Sequence, residues 1–249
     1  MVFSDNELSR YSRHILLPEV DVQGQEKLLS AKVLIIGVGG LGSPVALYLA
    51  ASGVGEITIA DHDKVELNNL QRQIAHDEQG IGHSKVSSCY QRMININSHI
   101  KINPINDKLN GELLLSQVAA ADIVVDCTDN LTTRFEINQA CVTYKKWLVS
   151  AAVIRWEGQI SVYHCGHPDS PCYHCFYGGR NDSRQNCSNS GILSPVVGVL
   201  GSMQAIEVIK LIINKGDSLI GRVLLFDALS MQWESMQLPK NPNCSVCGS

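Results

Sequence analysis

The chain has 249 residues, enough for one large α/β unit with a substantial core. An apolar content of 45%, a charged content of 18% and a net charge of −4 are those of a soluble globular protein. They exclude binding to nucleic acid or a membrane surface that is driven by basic charge. The polar N-terminus, MVFSDNELSRYSRH, does not read as a signal peptide. Nine cysteines without an export signal point to a reducing cytoplasm, where some of them bind metal or react.

Residues 4–29 read as a helical, partly exposed arm that opens with a Ser4–Glu7 capping box. Arg10 and Arg13 are three apart and share a helix face. They are either a solvated basic edge or a pair aimed at phosphate, on this subunit or a neighbouring one. Val33 to Gly42, VLIIGVGGLG, is the stretch on which the chain is organised. A β-branched run enters Gly37, Gly39, Gly40 and Gly42, and an apolar helix pattern follows from Pro44 to Ala51. Strand, glycine turn and helix start are the setting in which G-x-G-x-x-G cradles phosphate. A second strand, Glu56 to Ala60, ends at Asp61, nineteen residues after Gly42, where a carboxylate can hold ribose hydroxyls. These features predict an adenine nucleotide without saying which.

The loop after Asp61 crowds Asn68, Asn69, Gln71 and Arg72 just beyond a strand end, where open α/β sheets bind ligands. Lys85 stands at the start of a helix over 84–95, against the dipole preference there, which suggests a compensating anion. A strand over 100–105 and a helix over 111–121 lead to a buried strand, 122–125, that runs into DCTDN. Either Asp126 or Asp129 can hold Mg²⁺ opposite a triphosphate, and one of the two can instead cap the helix over 131–144. Strands over 147–153 and 158–163 are too close for a helical crossover and so pair antiparallel.

Cys172 and Cys175, with Cys244 and Cys247, form two C-x-x-C pairs, the ligand set of a closed structural zinc site. A redox role is the rival reading for either pair alone, and His174 between two ligands reads as a bystander. The segment 178–190, GGRNDSRQNCSNS, predicts a mobile loop. It carries Cys187 near Arg184, either a reactive thiol or an incidental one. A long apolar helix over 192–214, too interrupted to span a bilayer, reads as buried, and a hairpin over 222–238 closes the chain. Cys89, Cys127, Cys141 and Cys165 read as core. The expected fold is thus Rossmann-like and α/β. Its organisation is a helical arm (1–30), a mostly parallel nucleotide-binding half (31–150) and an antiparallel extension with a Cys₄ zinc site (151–249).

GVGGLG, ADHDKVELNNLQRQ, IGHSKV, DCTDNLTTR, the two C-x-x-C pairs and the N-terminal RYSR together resemble one family over nearly the whole chain. It is that of the MoeB/ThiF adenylyltransferases, bacterial relatives of ubiquitin-activating enzyme. The resemblance implies an enzyme that uses Mg-ATP to adenylate the C-terminal Gly-Gly tail of a small ubiquitin-fold sulfur carrier of the MoaD/ThiS type, in thiamine or molybdopterin biosynthesis. It implies that Asp61 holds the ribose, Gly40 and its neighbours the phosphates, and Asn69, Arg72 and Lys85 the triphosphate. Asp129 would hold Mg²⁺, and Arg13 would reach in from the other subunit of a homodimer. Cys187 falls where the family carries a cysteine, which in its thiazole-pathway members can join covalently to the carrier. A separate protein would supply sulfur. The sequence alone leaves two alternatives, a nicotinamide-dependent dehydrogenase and a non-catalytic zinc-stapled scaffold.

Overall fold

In the computed structural model, residues 3–167, 170–178 and 191–248 are described. The helical arm is α1 (Asp5–Ile15) and α2 (Asp21–Ser30), and α1 opens on the Ser4–Glu7 capping box that the sequence predicts. Gly24 lies inside α2, not at its start, and packs against Val20. Two buried polar groups tie the arm to the body. Asn97 donates to the Tyr11 hydroxyl and to Ala50 O, and Gln25 donates to Ser52 O, each at 2.9 Å.

The strands form one eight-stranded sheet in the order β3-β2-β1-β4-β5-β6-β7-β8. β1 (Lys32–Ile36), β2 (Glu56–Ala60), β3 (Lys101–Ile105), β4 (Ile123–Asp126) and β5 (Trp147–Ile154) are parallel. β6 (Glu157–Tyr163), β7 (Arg222–Asp227) and β8 (Gln232–Gln237) continue it antiparallel, as the short link after Ile154 requires. β1 is central, and its alternation sends side chains to both faces. Val33 and Ile35 join the core cluster under α3 (Gly42–Ala51) and α4 (Lys85–Ile96), while Leu34 and Ile36 join the cluster on the opposite face. That second cluster is covered by α5 (Gly111–Ala120), α6 (Leu131–Thr143) and the short α7 (Tyr173–Tyr177).

α8 (Ser194–Ile213) is long and apolar enough to cross a membrane by length and composition. Half of its apolar window is buried in the fold, where it packs on α3, β5 and β6. Close approach requires small residues on both sides: a Cβ on Gly201 would lie 2.6 Å from Leu41 O, and one on Gly158 2.6 Å from a Leu200 methyl. Cys89, Cys127 and Cys141 are buried as expected, but Cys165 is only half-buried, in the loop that leads to the first C-x-x-C pair.

Strand order reverses at β1, whose neighbours β2 and β4 lead away in opposite directions. Connections on the two sides diverge there and open a crevice at the carboxyl ends of the strands.

Candidate active site

A cleft of about 500 Å³ fills that crevice, a volume suited to a small-molecule ligand. Its floor is the glycine turn. Gly37 has φ +89°, a backbone state that L side chains rarely adopt, and Gly39 and Gly40 face the cleft. Gly42 serves differently from the expectation and does not line the cleft. A Cβ there would stand 1.9 Å from Gly37 O, so its hydrogen lets α3 start directly against the turn. α3 has no side-chain cap, and so presents an unneutralised positive end beside the turn.

Asp61 is held at the mouth of β2. Its carboxylate accepts from Val38 N–H and from Asp63 N–H, both at 2.9 Å, which ties the acid to the glycine turn. Four lone-pair directions on a carboxylate leave room for ribose hydroxyls as well. Lys85 is the first residue of α4, and its side chain is only 8% exposed. The anion that its position calls for is present within the chain: Lys85 Nζ lies 2.8 Å from Asp63 Oδ2. Burial pushes the Asp63 carboxyl up, but the hydrogen bond and charge of Lys85 outweigh it and hold the group below its ordinary value.

The loop 66–73 separates into structural and cleft-facing residues. Asn69, expected among the triphosphate ligands, does not line the cleft. It is buried, its Oδ1 accepts from Glu66 N–H at 3.3 Å, and its amide donates to Asn68 Oδ1, so it closes a reciprocal cap on a 3₁₀ turn. Arg72 lines the cleft, braced by a 3.0 Å bond from Nη1 to Asn68 O. Gln73, not singled out in the sequence, also lines it and packs on Gly39.

Of the two aspartates after β4, one is structural. Asp126 is 1% exposed and accepts from Thr128 N–H at 3.0 Å and from Ser150 Oγ at 2.7 Å. Arg134 lies behind it, its Nε 3.8 Å from Asp126 Oδ2, and donates to Thr128 O and Ala151 O. The helix cap is neither aspartate but Asn130, whose Oδ1 accepts from Thr133 N–H at 2.9 Å. Asp129 is therefore free of the capping role. It is exposed, lines the cleft, and forms no hydrogen bond among the described residues. Arg13 is exposed on α1 and is not part of this chain's own cleft, while Arg10 is occupied with Ile96 O at 2.8 Å. Cys187 and most of the segment around it lie outside the described residues.

Far along the chain, the four cysteines meet. Sγ–Sγ distances are 3.9 Å for Cys172–Cys175, 3.7 Å for Cys172–Cys244 and 3.4 Å for Cys175–Cys247, and all four sulfurs lie within 4.8 Å of one another. A tetrahedron with Zn–S bonds of about 2.3 Å has edges of roughly 3.8 Å, so the set fits zinc. His174 stands beside this set, its Nδ1 3.6 Å from Cys244 Sγ. Burial opposes ionisation of Cys244, but the N–H groups of Cys247 and Val246 and the His174 ring outweigh it and hold the thiol down at about 6.

A glycine turn, a carboxylate at the end of β2 and two cations converging on a switch-point cleft define a nucleotide-binding α/β enzyme. Residues 11–246 match the ThiF family, and the chain belongs to it. It is 41% identical over 245 residues to the molybdopterin-synthase adenylyltransferase of Salmonella typhimurium, covering 98% of each chain. It is 43% identical over 245 residues to the sulfur carrier protein ThiS adenylyltransferase of Escherichia coli, covering 98% of this chain and 97% of that one. Among solved structures, that of E. coli MccB with ATP superposes with a TM-score of 0.83 at 27% identity, covering 98% of this chain and 75% of that one. Full-length similarity to adenylyltransferases replaces the dehydrogenase alternative.

Proposed function

We propose that this chain is an ATP-dependent adenylyltransferase that activates the C-terminal glycine carboxylate of a small ubiquitin-fold sulfur carrier, in thiamine or molybdopterin biosynthesis. One observation carries the reading: Asp61 on one side of the cleft and Arg72, Lys85 and Asp129 around it, in a chain whose full-length relatives bear that activity in their names. The carrier's terminal carboxylate attacks the α-phosphorus of ATP. A carboxylate O–P bond forms, the α–β phosphoanhydride P–O bond breaks, and pyrophosphate leaves with the electron pair. The nucleophile is already ionised at neutral pH, so the protein supplies alignment and charge, not a base.

In this reading Asp61 orients the ribose, and the backbone at Gly39 and Gly40 follows the phosphates. Arg72 and Lys85 stabilise charge that builds on the leaving pyrophosphate. The carboxylate of Asp129, which lines the cleft and forms no hydrogen bond among the described residues, suits Mg²⁺, which takes one or two carboxylates together with phosphate oxygens and water. Bound there, Mg²⁺ would neutralise polyphosphate charge. The Cys₄ set would hold a structural Zn²⁺ that staples the C-terminal tail to α7. Arg13 would act in the cleft of a second copy. Leu16 beyond α1, Val22 on α2, Tyr48 on α3 and Ile206 on α8 are exposed apolar side chains that such a homodimer would cover. The chain would act in the cytoplasm as one adenylation unit, with a separate protein as sulfur donor, and Cys187 would be the thiol available for a covalent link to the carrier.

The test is exchange of labelled pyrophosphate into ATP with purified carriers of the ThiS and molybdopterin-synthase types. Exchange that depends on one carrier is expected, and Asp129→Ala should lower it at least a hundredfold. No exchange with any carrier would refute the reading, and full activity of Asp129→Ala would remove its metal role.

A further inference from the structure

A cation at the first residue of a helix faces the positive end of the dipole. Lys85 nevertheless occupies that place on α4 with its side chain largely buried at the cleft wall. A lysine buried to that extent needs a hydrogen-bond acceptor to hold it before any ligand arrives. The geometry supplies one partner, Asp63, and more than its side chain is involved. Lys85 N–H donates to Asp63 O at 3.0 Å, and the neighbouring Val65 N–H donates to His83 O at 2.9 Å. The two segments are therefore stitched together by backbone at the point where the ion pair forms. Asp63 N–H also donates to Asp61 Oδ1, and Asp61 Oδ2 accepts from Val38 N–H in the glycine turn. A continuous chain of bonds thus runs from the turn through Asp61 and Asp63 to the Lys85 ammonium.

We propose that Asp63 is a positioning residue for nucleotide binding: it fixes the Lys85 ammonium at one point of the cleft relative to Asp61, so that its other N–H bonds meet the polyphosphate. An ammonium has three donors, and Asp63 Oδ2 is the acceptor within reach among the described residues, which leaves two for phosphate oxygens. Asp63 itself is half-exposed and lines the cleft, so it holds the lysine from the open side without closing the site. Without it, a four-carbon stem must be ordered by the nucleotide, and affinity falls.

This inference rests on the nucleotide-binding reading above, and the experiment separates the two. MgATP binding is measured by calorimetry on the full chain, with thermal unfolding recorded for each variant. Wild-type protein that binds no MgATP overturns the nucleotide reading itself. Given wild-type binding, Asp63→Ala should weaken MgATP roughly tenfold, while Asp63→Asn, which keeps an acceptor oxygen, should stay within about threefold of wild type. In a Lys85→Met background Asp63→Ala should add nothing, because Asp63 acts through that lysine. Unchanged or tighter binding in Asp63→Ala overturns the proposal, the tighter case marking Asp63 as a competing anion. A loss that adds in full to that of Lys85→Met also overturns it, as does one that Asp63→Asn fails to rescue.

Discussion

Gly42→Ala is the substitution with the most direct structural consequence. The new Cβ would be built 1.9 Å from Gly37 O and 2.8 Å from Gly37 C, both backbone atoms of the turn. An ordinary carbon–oxygen contact is well over an ångström longer, so no rotamer change relieves the clash. Either α3 moves off the turn or the turn opens. Overpacking of this kind costs about 1–3 kcal/mol, with the upper end expected because the obstacle is backbone. For a chain of this size about 3 kcal/mol lowers Tm by roughly 6–12 °C. The same displacement spoils the phosphate cradle, so MgATP affinity falls along with stability. Gly198→Ala is the matched control: it lies inside α8 with nothing among the described residues within 4 Å of its added Cβ. It should be neutral or stabilise by up to about 1 kcal/mol. Calorimetric unfolding and MgATP titration of both variants decide the matter. A Gly42→Ala protein with wild-type Tm and affinity would show that the turn is not packed as described.

Two further outcomes follow from the same structure. Purified chain should carry about one zinc per protomer, and Cys172→Ser should lose the metal and unfold at lower temperature, as checked by metal analysis and melting; wild-type protein without metal would argue against the site. His76 is buried between Val38 O and Ser88 Oγ, at 3.0 and 3.1 Å, and burial, helped by the nearby Lys85 charge, keeps its ring neutral to lower pH than usual. The unfolded chain then takes up a proton before the folded one does. Stability is complete above the ordinary histidine value of about 6.5 and falls as pH drops below it towards the depressed folded value. His76→Gln should flatten that part of the pH–stability curve, and an unchanged slope would remove His76 as its source.

Local pattern determined a great deal about this protein. The β-branched run ending in glycines, the short link between β5 and β6, and the capping box at Ser4 are governed by neighbours in sequence, and each formed as its residues dictate. Spacing also identified the four cysteines as a set, because a C-x-x-C pair presents two thiols to one point wherever its partner lies. Asp61, Arg72, Lys85 and Asp129 were legible as cleft residues from their places at strand ends and a helix start.

Tertiary structure decided which polar side chains are spent on the fold. Asn69 and Arg72 are three apart in one polar loop, yet Asn69 is consumed by a cap while Arg72 lines the cleft. Asp126 and Asp129 share one motif, yet Asp126 is buried against Ser150 of β5, a strand that begins twenty-one residues later. Asp63 offered no local signal, since its meaning comes from a lysine twenty-two positions away. The physical reason is common to all of these. A hydrogen-bonding group that leaves water must find a partner, and which partner lies within 3 Å is settled by how distant segments pack, not by the residues on either side.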